Sequence, residues 1–395
     1  MPPLSSIRIL DLSTVVMGPY ASQILADLGA DVVKVESPAG DQTRFYRPQR
    51  GHEMSGLFLS LHRNKRSIIL DLKLQSGREQ MHALVGQFDV VLHNFRPKVA
   101  QRLGVDYEQL KAFNEKIILC KAYGFGSEGK DADKPAYDDV IQARSGLSAL
   151  FARVQGAPQY VPSMVCDKIV GQTIAIAILS ACYRRADCDM GAEVEVPMLE
   201  SMVAFNLAEN LASATFDPPL GSMGWARNIS PMRKPFKTLD GYVCLLPYSD
   251  RNWRDFLAYA GRPEIADEPR FASLADRALH IDELYRVVES FASTRPSREL
   301  LEFCESHEIP ASPIVDMNDL EEDLHLNQVG LIQHDWHPTE GAYKLWRSPI
   351  RFSDHEWQLR YHAPHLGEHN QEIFSAAAHA QEAASDTIHQ GSKVS

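Results

Sequence analysis

Asp167 stands directly before Lys168-Ile-Val-Gly-Gln-Thr-Ile-Ala-Ile-Ala-Ile-Leu-Ser-Ala-Cys-Tyr-Arg-Arg185, a strongly helical run with arginines at its far end. That position predicts a helix N-cap, where a carboxylate faces unpaired N–H groups and the positive end of the helix dipole. There it stays ionised, and an oxyanion formed on it meets ready donors. Those are the properties of a nucleophilic carboxylate, and a plain capping aspartate carries the same signature. Four further groupings could do chemistry with it. Asn64-Lys-Arg-Ser67, followed by Leu70-Asp-Leu-Lys73, puts three cations around a strand, suited to an anionic ligand and equally ordinary at a strand's solvated ends. Asn94-Phe95-Arg96-Pro97-Lys98, with Arg102 about a helical turn further on, follows an apolar strand. Open sheets place ligands beyond the carboxyl ends of their strands, so the phenyl ring and flanking cations could hold an adenine and phosphates. Gly124-Phe-Gly-Ser-Glu-Gly129 is a loop whose backbone could approach a ligand, or a surface turn. Tyr137-Asp138-Asp139 could flank Asp167 with a hydroxyl and a second carboxylate, or start a helix.

These residues need a scaffold, and the hydrophobic periodicity supplies one. Ile7–Leu12 reads as a strand, Pro19–Leu28 as a helix and Asp31–Glu36 as a second strand, with Gly29 stopping the helix. The pattern continues through strands at Arg66–Asp71, Asp89–His93 and Lys116–Cys120, a helix at Gly77–Gly86, the helix from Lys168, a strand at Ala192–Val196 and a helix at Pro197–Ala212. The expectation is an α/β fold: a Rossmann-like large domain with a mostly parallel sheet over residues 1–212. Residues 213–235, with Pro218, Pro219, Gly221, Gly224, Pro231 and Pro235, read as a linker or functional loop. A small α+β domain is expected at 236–320, opening with a hairpin that turns at Asp240-Gly241 and continuing with helices near Asn252–Gly261, Ile281–Ser293 and Ser297–His307. Residues 321–395 form a last segment whose final fifteen or so residues read as a frayed tail.

Composition excludes several classes. The turn after the first strand lacks GxGxxG, and GxxxxGK[ST] occurs nowhere, so neither a dinucleotide nor a P-loop nucleotide site is indicated. A formal charge of −12 argues against nonspecific nucleic-acid binding. Eighteen uninterrupted apolar residues occur nowhere, so no membrane span is expected, and the first residues do not read as a secretory signal. The six cysteines form no CxxC pair, so no metal site or disulfide framework is expected; a cytoplasmic protein with reduced thiols is, with Cys166 beside Asp167 the one thiol to watch.

The ordered combination resembles the family III CoA-transferases, which include formyl-CoA:oxalate and carnitine CoA-transferases, with the α-methylacyl-CoA racemases as close relatives. The matching pieces run through Ile9-Leu-Asp-Leu with Gly18-Pro19, Leu25 to Glu36, Asn64-Lys-Arg-Ser67, Leu70-Asp-Leu-Lys73, Asn94-Phe-Arg-Pro97, Arg102-Leu-Gly104, Gly124-Phe-Gly126, Tyr137-Asp138, Asp167 to Gly171, Ile309-Pro310 and Pro364 to His369. The resemblance implies an interlocked homodimer of ring-like chains, with the carboxyl-terminal segment returning to the large domain. It makes Asp167 the nucleophile that attacks an acyl-CoA thioester, passing through a mixed anhydride and an aspartyl-CoA thioester before an acceptor carboxylate takes the CoA. Coenzyme A is then a substrate, and no permanently bound cofactor or metal is needed. By position the resemblance makes Leu70, Lys73, Asn94, Phe95, Arg96 and Arg102 CoA contacts; Tyr137 and Asp138 line the CoA site, and Lys134 lies one place from a family lysine.

Departures separate the relatives. The racemases carry a histidine base just before the position of Asp138, whereas this chain has Tyr137, and a phenol with a reference pKa near 10 is a poor neutral base. A racemase or epimerase is therefore the alternative and a transferase the leading expectation. Formyl-CoA transferases carry a glutamine in the turn after the first strand and a glycine-rich lid. Here that turn has Val16 and Met17, taken as substrate contacts, and the later loop bears Arg227, Arg233, Lys234 and Lys237. Arg227 or Arg233 is expected to pair the distal carboxylate of a dicarboxylate such as succinate or itaconate, with succinyl-CoA one candidate donor; a solvated basic loop is the other reading.

Overall fold

The computed structural model describes residues 1–379, so the expected frayed tail lies outside the described residues. A six-stranded sheet has the order β3-β2-β1-β4-β5-β6, built from β1 (Arg8–Asp11), β2 (Asp31–Glu36), β3 (Lys65–Ile69), β4 (Val90–His93), β5 (Ile118–Tyr123) and β6 (Ala192–Pro197), with every pairing parallel. Parallel strands covered on both faces need nearly continuous apolar runs, and Ile9, Leu10, Val32, Val33, Val90, Val91, Ile118 and Leu119 are all buried. The strand order reverses between β1 and β4. Open α/β sheets have a crevice at that switch point, above the carboxyl ends of their strands.

The helices of this part are α1 (Met17–Asp27), α2 (Gly56–His62), α3 (Gln75–Val85), α4 (Pro97–Leu103), α5 (Tyr107–Lys111), α6 (Asp138–Arg144), α7 (Leu147–Gln155), α8 (Val165–Cys188) and α9 (Met198–Asn210). The chain divides into two compact units. The first comprises Met1–Ser145, Val161–Ala204 and the chain from His325 onward. It holds the large sheet and also an antiparallel pair of strands, Ile332–His337 with Gly341–Trp346. Past that pair the chain returns to the exposed edge of the sheet: Asn64 N–H donates to Tyr361 O at 2.8 Å, His369 N–H to Ser67 O at 2.9 Å and Ile69 N–H to Asn370 Oδ1 at 2.8 Å. Covering β3 this way satisfies backbone groups an edge strand would leave open.

The second unit comprises Gly146–Tyr160 and Phe205–Leu324. Its antiparallel sheet joins β7 (Phe236–Lys237), β8 (Tyr242–Leu245) and β9 (Ala311–Pro313), with the expected hairpin in register Phe236↔Val243. Helices α10 (Asp250–Tyr259), α11 (Leu274–Leu279), α12 (Ile281–Ala292) and α13 (Ser297–Ser306) close over a core around Trp253, Phe256, Leu284, Val288 and Leu300. A short helix, α14 (Leu324–Val329), precedes β10 (Ile332–His337) and β11 (Gly341–Trp346).

By length and composition α8 is long and apolar enough to cross a membrane, although Asp167, Lys168, Gln172, Thr173 and Ser180 interrupt its apolar run. Its inner face packs in the fold, with Val170, Ile174 and Ile178 buried. The cations of the Asn64–Ser67 stretch are consumed by structure. Lys65 pairs with Asp11 at 3.2 Å, Asn64 donates to Asp27 at 2.9 Å, and Arg66 pairs with Asp31 at 2.6 Å and with Glu372. They tie the sheet together.

Candidate active site

The turn Ser13–Val16, the residues after β4 and the start of α8 converge at the switch point. A cavity of about 440 Å³ there is lined by Val15, Val16, Met17, Asn94, Phe95, Tyr137 and Asp167, with Arg96, Lys134 and Met198 also on its wall. A second cavity of about 230 Å³ is lined by Leu70, Leu72, Lys73, Phe95 and Leu103. Thr14, Gly40 and Phe95 belong to both, so the two are neighbours. One end thus offers a carboxyl group, and the other an apolar slot with a lysine at its margin.

Asp167 is not the N-cap. Ser163 O accepts from Val165 N–H at 2.7 Å, a turn that starts the helix early, and Met164 takes the cap position without a side-chain bond. Asp167 therefore sits in the first turn, still at the positive end of the dipole. Its partner is Asp138, which opens α6 and is buried. Asp138 Oδ1 accepts from the Asp167 backbone N–H at 3.0 Å, and its Oδ2 accepts from Gln142 Nε2 at 2.6 Å. Asp138 neither caps its own helix nor lines the cavity; it holds the backbone of Asp167. The expectation of an always-ionised Asp167 is also corrected: burial, and then the Asp138 charge, push its carboxyl up to about 7. Cys166 is buried, and that burial, with Asp138 and Asp167 nearby, pushes its thiol up to about 12, which makes it inert at neutral pH.

The other expected residues divide by place. Val16 and Met17 are buried in the wall, and Asn94 is clamped to the first turn, accepting from Thr14 N–H at 3.1 Å and donating to Thr14 O at 2.9 Å. Tyr137 is exposed at the rim, and Lys134 reaches Asp131 at 2.6 Å. Lys73 is exposed beside Leu70, and Arg102, at the end of α4, is exposed and lines neither cavity. Arg227 and Arg233 lie in the second unit, where Arg227 donates to Tyr285 Oη at 3.2 Å and stacks over Tyr248. Gly124 of the glycine loop lines the cavity, while two of the loop's other amides are engaged: Gly126 N–H donates to Glu200 at 3.0 Å and Ser127 N–H to Glu195 at 2.7 Å. Thr14, Val15, Gly40 and Asp41, not singled out in the sequence, take part in the walls, next to the expected Val16 and Met17.

Residues 4–370 match the family model described as CoA-transferase family III, and the chain belongs to that family. It is a CoA-transferase, an enzyme whose substrates are CoA thioesters. The succinate–glutarate CoA-transferase of Agrobacterium fabrum is 32% identical over 95% of both chains. The formyl-CoA:oxalate CoA-transferase of Streptomyces avermitilis is 31% identical over 94% of both. A CaiB/BaiF family protein from Brucella suis has a TM-score of 0.79 at 30% identity, covering 95% of this chain and 99% of that one.

Proposed function

We propose that this CoA-transferase moves CoA from succinyl-CoA to a dicarboxylic acid, with Asp167 as the covalent carrier. The observation that carries the reading is the Asp167 carboxyl in a cavity adjoining an apolar slot edged by Lys73. A CoA thioester has that shape: a reactive carbonyl at one end and a long carrier ending in an adenine and phosphates at the other. The Asp167 carboxylate attacks the thioester carbonyl and CoA thiolate leaves, giving a mixed anhydride. The thiolate then attacks the aspartyl carbonyl, releasing the donor acid and leaving an aspartyl-CoA thioester. The acceptor carboxylate attacks that carbonyl to form a second anhydride, and the freed thiolate attacks its acyl carbon. The new CoA ester departs and Asp167 regains its carboxylate. Each step exchanges one acyl bond for another without changing the oxidation state of the acyl carbon, so no redox group is needed.

Leu70, Lys73, Asn94, Phe95 and Arg96 are the CoA contacts in this reading, with Arg102, which lines neither cavity, assigned on the family resemblance alone, Lys134 and Tyr137 at the cavity rim and Asp138 holding the nucleophile's backbone. The dicarboxylate preference is supported by the succinate–glutarate relative. Arg227 is engaged by tyrosines of its own unit and Arg233 is exposed there. The enzyme is read as a cytoplasmic, interlocked homodimer, in keeping with six free cysteines and an exposed apolar stripe on α8.

Mass spectrometry of the protein with succinyl-CoA, a panel of acids and hydroxylamine trapping tests the reading. New CoA esters and an adduct on Asp167 are expected, both lost in Asp167→Ala.

A further inference from the structure

Val15 has φ of 73°, and it is the one β-branched residue among the described non-glycine residues with positive φ. A β-branched side chain in the left-handed region crowds its own backbone, so the conformation persists only where the surroundings over-determine it. The surroundings here do so. Lys34, fully buried on β2, donates to Ser13 O and pairs with Asp41 at 3.0 Å. Asp41 Oδ2 accepts from Val15 N–H at 3.3 Å, while its Oδ1 is occupied by Thr43 N–H at 2.9 Å and Thr43 Oγ1 at 2.8 Å. On the far side Asp11 accepts from Ser13 N–H at 3.0 Å and is itself paired with Lys65. The turn is also pressed onto the next helix: a Cβ on Gly18 would meet Ser13 Cβ at 2.3 Å.

This turn is the wall next to the nucleophile's helix. A Cβ on Gly171, one turn beyond Asp167, would meet Met17 O at 2.9 Å, so the chain just after Val15 touches α8 directly. We propose that the buried Lys34–Asp41 pair is a positioning device for CoA transfer: it locks Val15 in the left-handed conformation and thereby fixes the Val16–Met17 wall against which the acyl group meets Asp167. Lys34 and Asp41 act through the turn and touch no reacting atom. The proposal rests on reading the Asp167 cavity as the transfer site. Trapping with Asp167→Ala tests that reading separately: turnover that survives Asp167→Ala overturns the site assignment, whatever the turn variants do.

The test is a double-mutant cycle on turnover. Asp41→Asn keeps the side chain's size and its bonds to Thr43 but replaces the acceptor facing Val15 and Lys34 with a donor. In the Val15 background it is expected to lower kcat at least about ten-fold, the scale of a left-handed penalty for a branched residue. In a Val15→Gly background the same change is expected to cost no more than about three-fold, because glycine takes positive φ without strain. An equal loss in both backgrounds overturns the proposal, since a merely structural role for Asp41 predicts no rescue. If Asp41→Asn does not fold, Val15→Pro decides, because proline forbids positive φ. A folded Val15→Pro enzyme is expected to lose at least about ten-fold in kcat while the KM for succinyl-CoA stays within about three-fold; wild-type kcat, or a loss carried by KM, overturns it.

Discussion

A carboxylate that attacks a thioester must be ionised, yet it reacts best where water is scarce, and Asp167 sits between these demands. Burial and the neighbouring Asp138 raise its pKa from 3.8 to about 7. The raised value has a sign that can be checked. Between those two pH values the folded chain holds a proton that the unfolded chain has released, so stability falls as pH rises through this window. The cost is fully present above about 7 and absent below the unfolded value. The neutral isostere Asp167→Asn is therefore expected to be more stable than wild type at about pH 8, by about 2 kcal/mol after allowance for partial solvation, with the gap closing near pH 4. Denaturant titrations across that range measure it, and equal stability at alkaline pH would sink the raised carboxyl. The same group sets the acid limb of catalysis: kcat/KM should rise with pH and level off above about 7.

Elements bring this carboxyl to the turn after β1, and the contact of α1 with α8 sets the distance. Gly171 lies four residues after Asp167 and so on the same face of α8. An added Cβ there would meet Met17 O and Tyr20 Cδ1, both at 2.9 Å. Backbone cannot yield as a flexible side chain can, so Gly171→Ala is expected to push α8 off α1, lowering Tm by several degrees and kcat by about ten-fold. Thermal unfolding and steady-state kinetics test it, and an unchanged kcat would show that the spacing of these helices does not govern the site. The strands were readable at this scale because parallel, doubly covered strands are apolar throughout. The range expected for the second, Asp31–Glu36, is the range observed. The start of α8 was not readable, since nothing in its apolar opening distinguishes Val165 from a loop residue before a helix. Residues whose partners are distant in sequence were the hardest to read. Lys65 resembled a ligand cation until Asp11 came beside it, and two amides of the glycine loop looked free until Glu195 and Glu200 occupied them. Val15 could not have been found at all, because valine reads as extended chain and only the buried pair beneath it holds it elsewhere.

At the scale of the whole molecule, α8 has a second face that a single chain leaves in water. Ile176 is 64% exposed and Tyr183 is 76% exposed, seven residues apart and thus on one stripe, while Ile174 and Ile178 on the other face are fully buried. Burying a side chain of either size contributes about 1.5–3 kcal/mol, which is a strong drive for a second copy to cover the stripe. A second copy of the chain, as in the proposed homodimer, would give that face a partner. On this argument the wild-type protein sediments at twice the mass of one chain, and Ile176→Asp, which places a charge in the covered stripe, sediments as a monomer at micromolar concentration. The single-chain fold should tolerate the change, since Ile176 packs little within its own chain, so circular dichroism stays native while the sedimentation coefficient falls. A wild-type monomer under these conditions, or a dimer indifferent to the substitution, would place the interface elsewhere and leave the α8 stripe a plain solvent face.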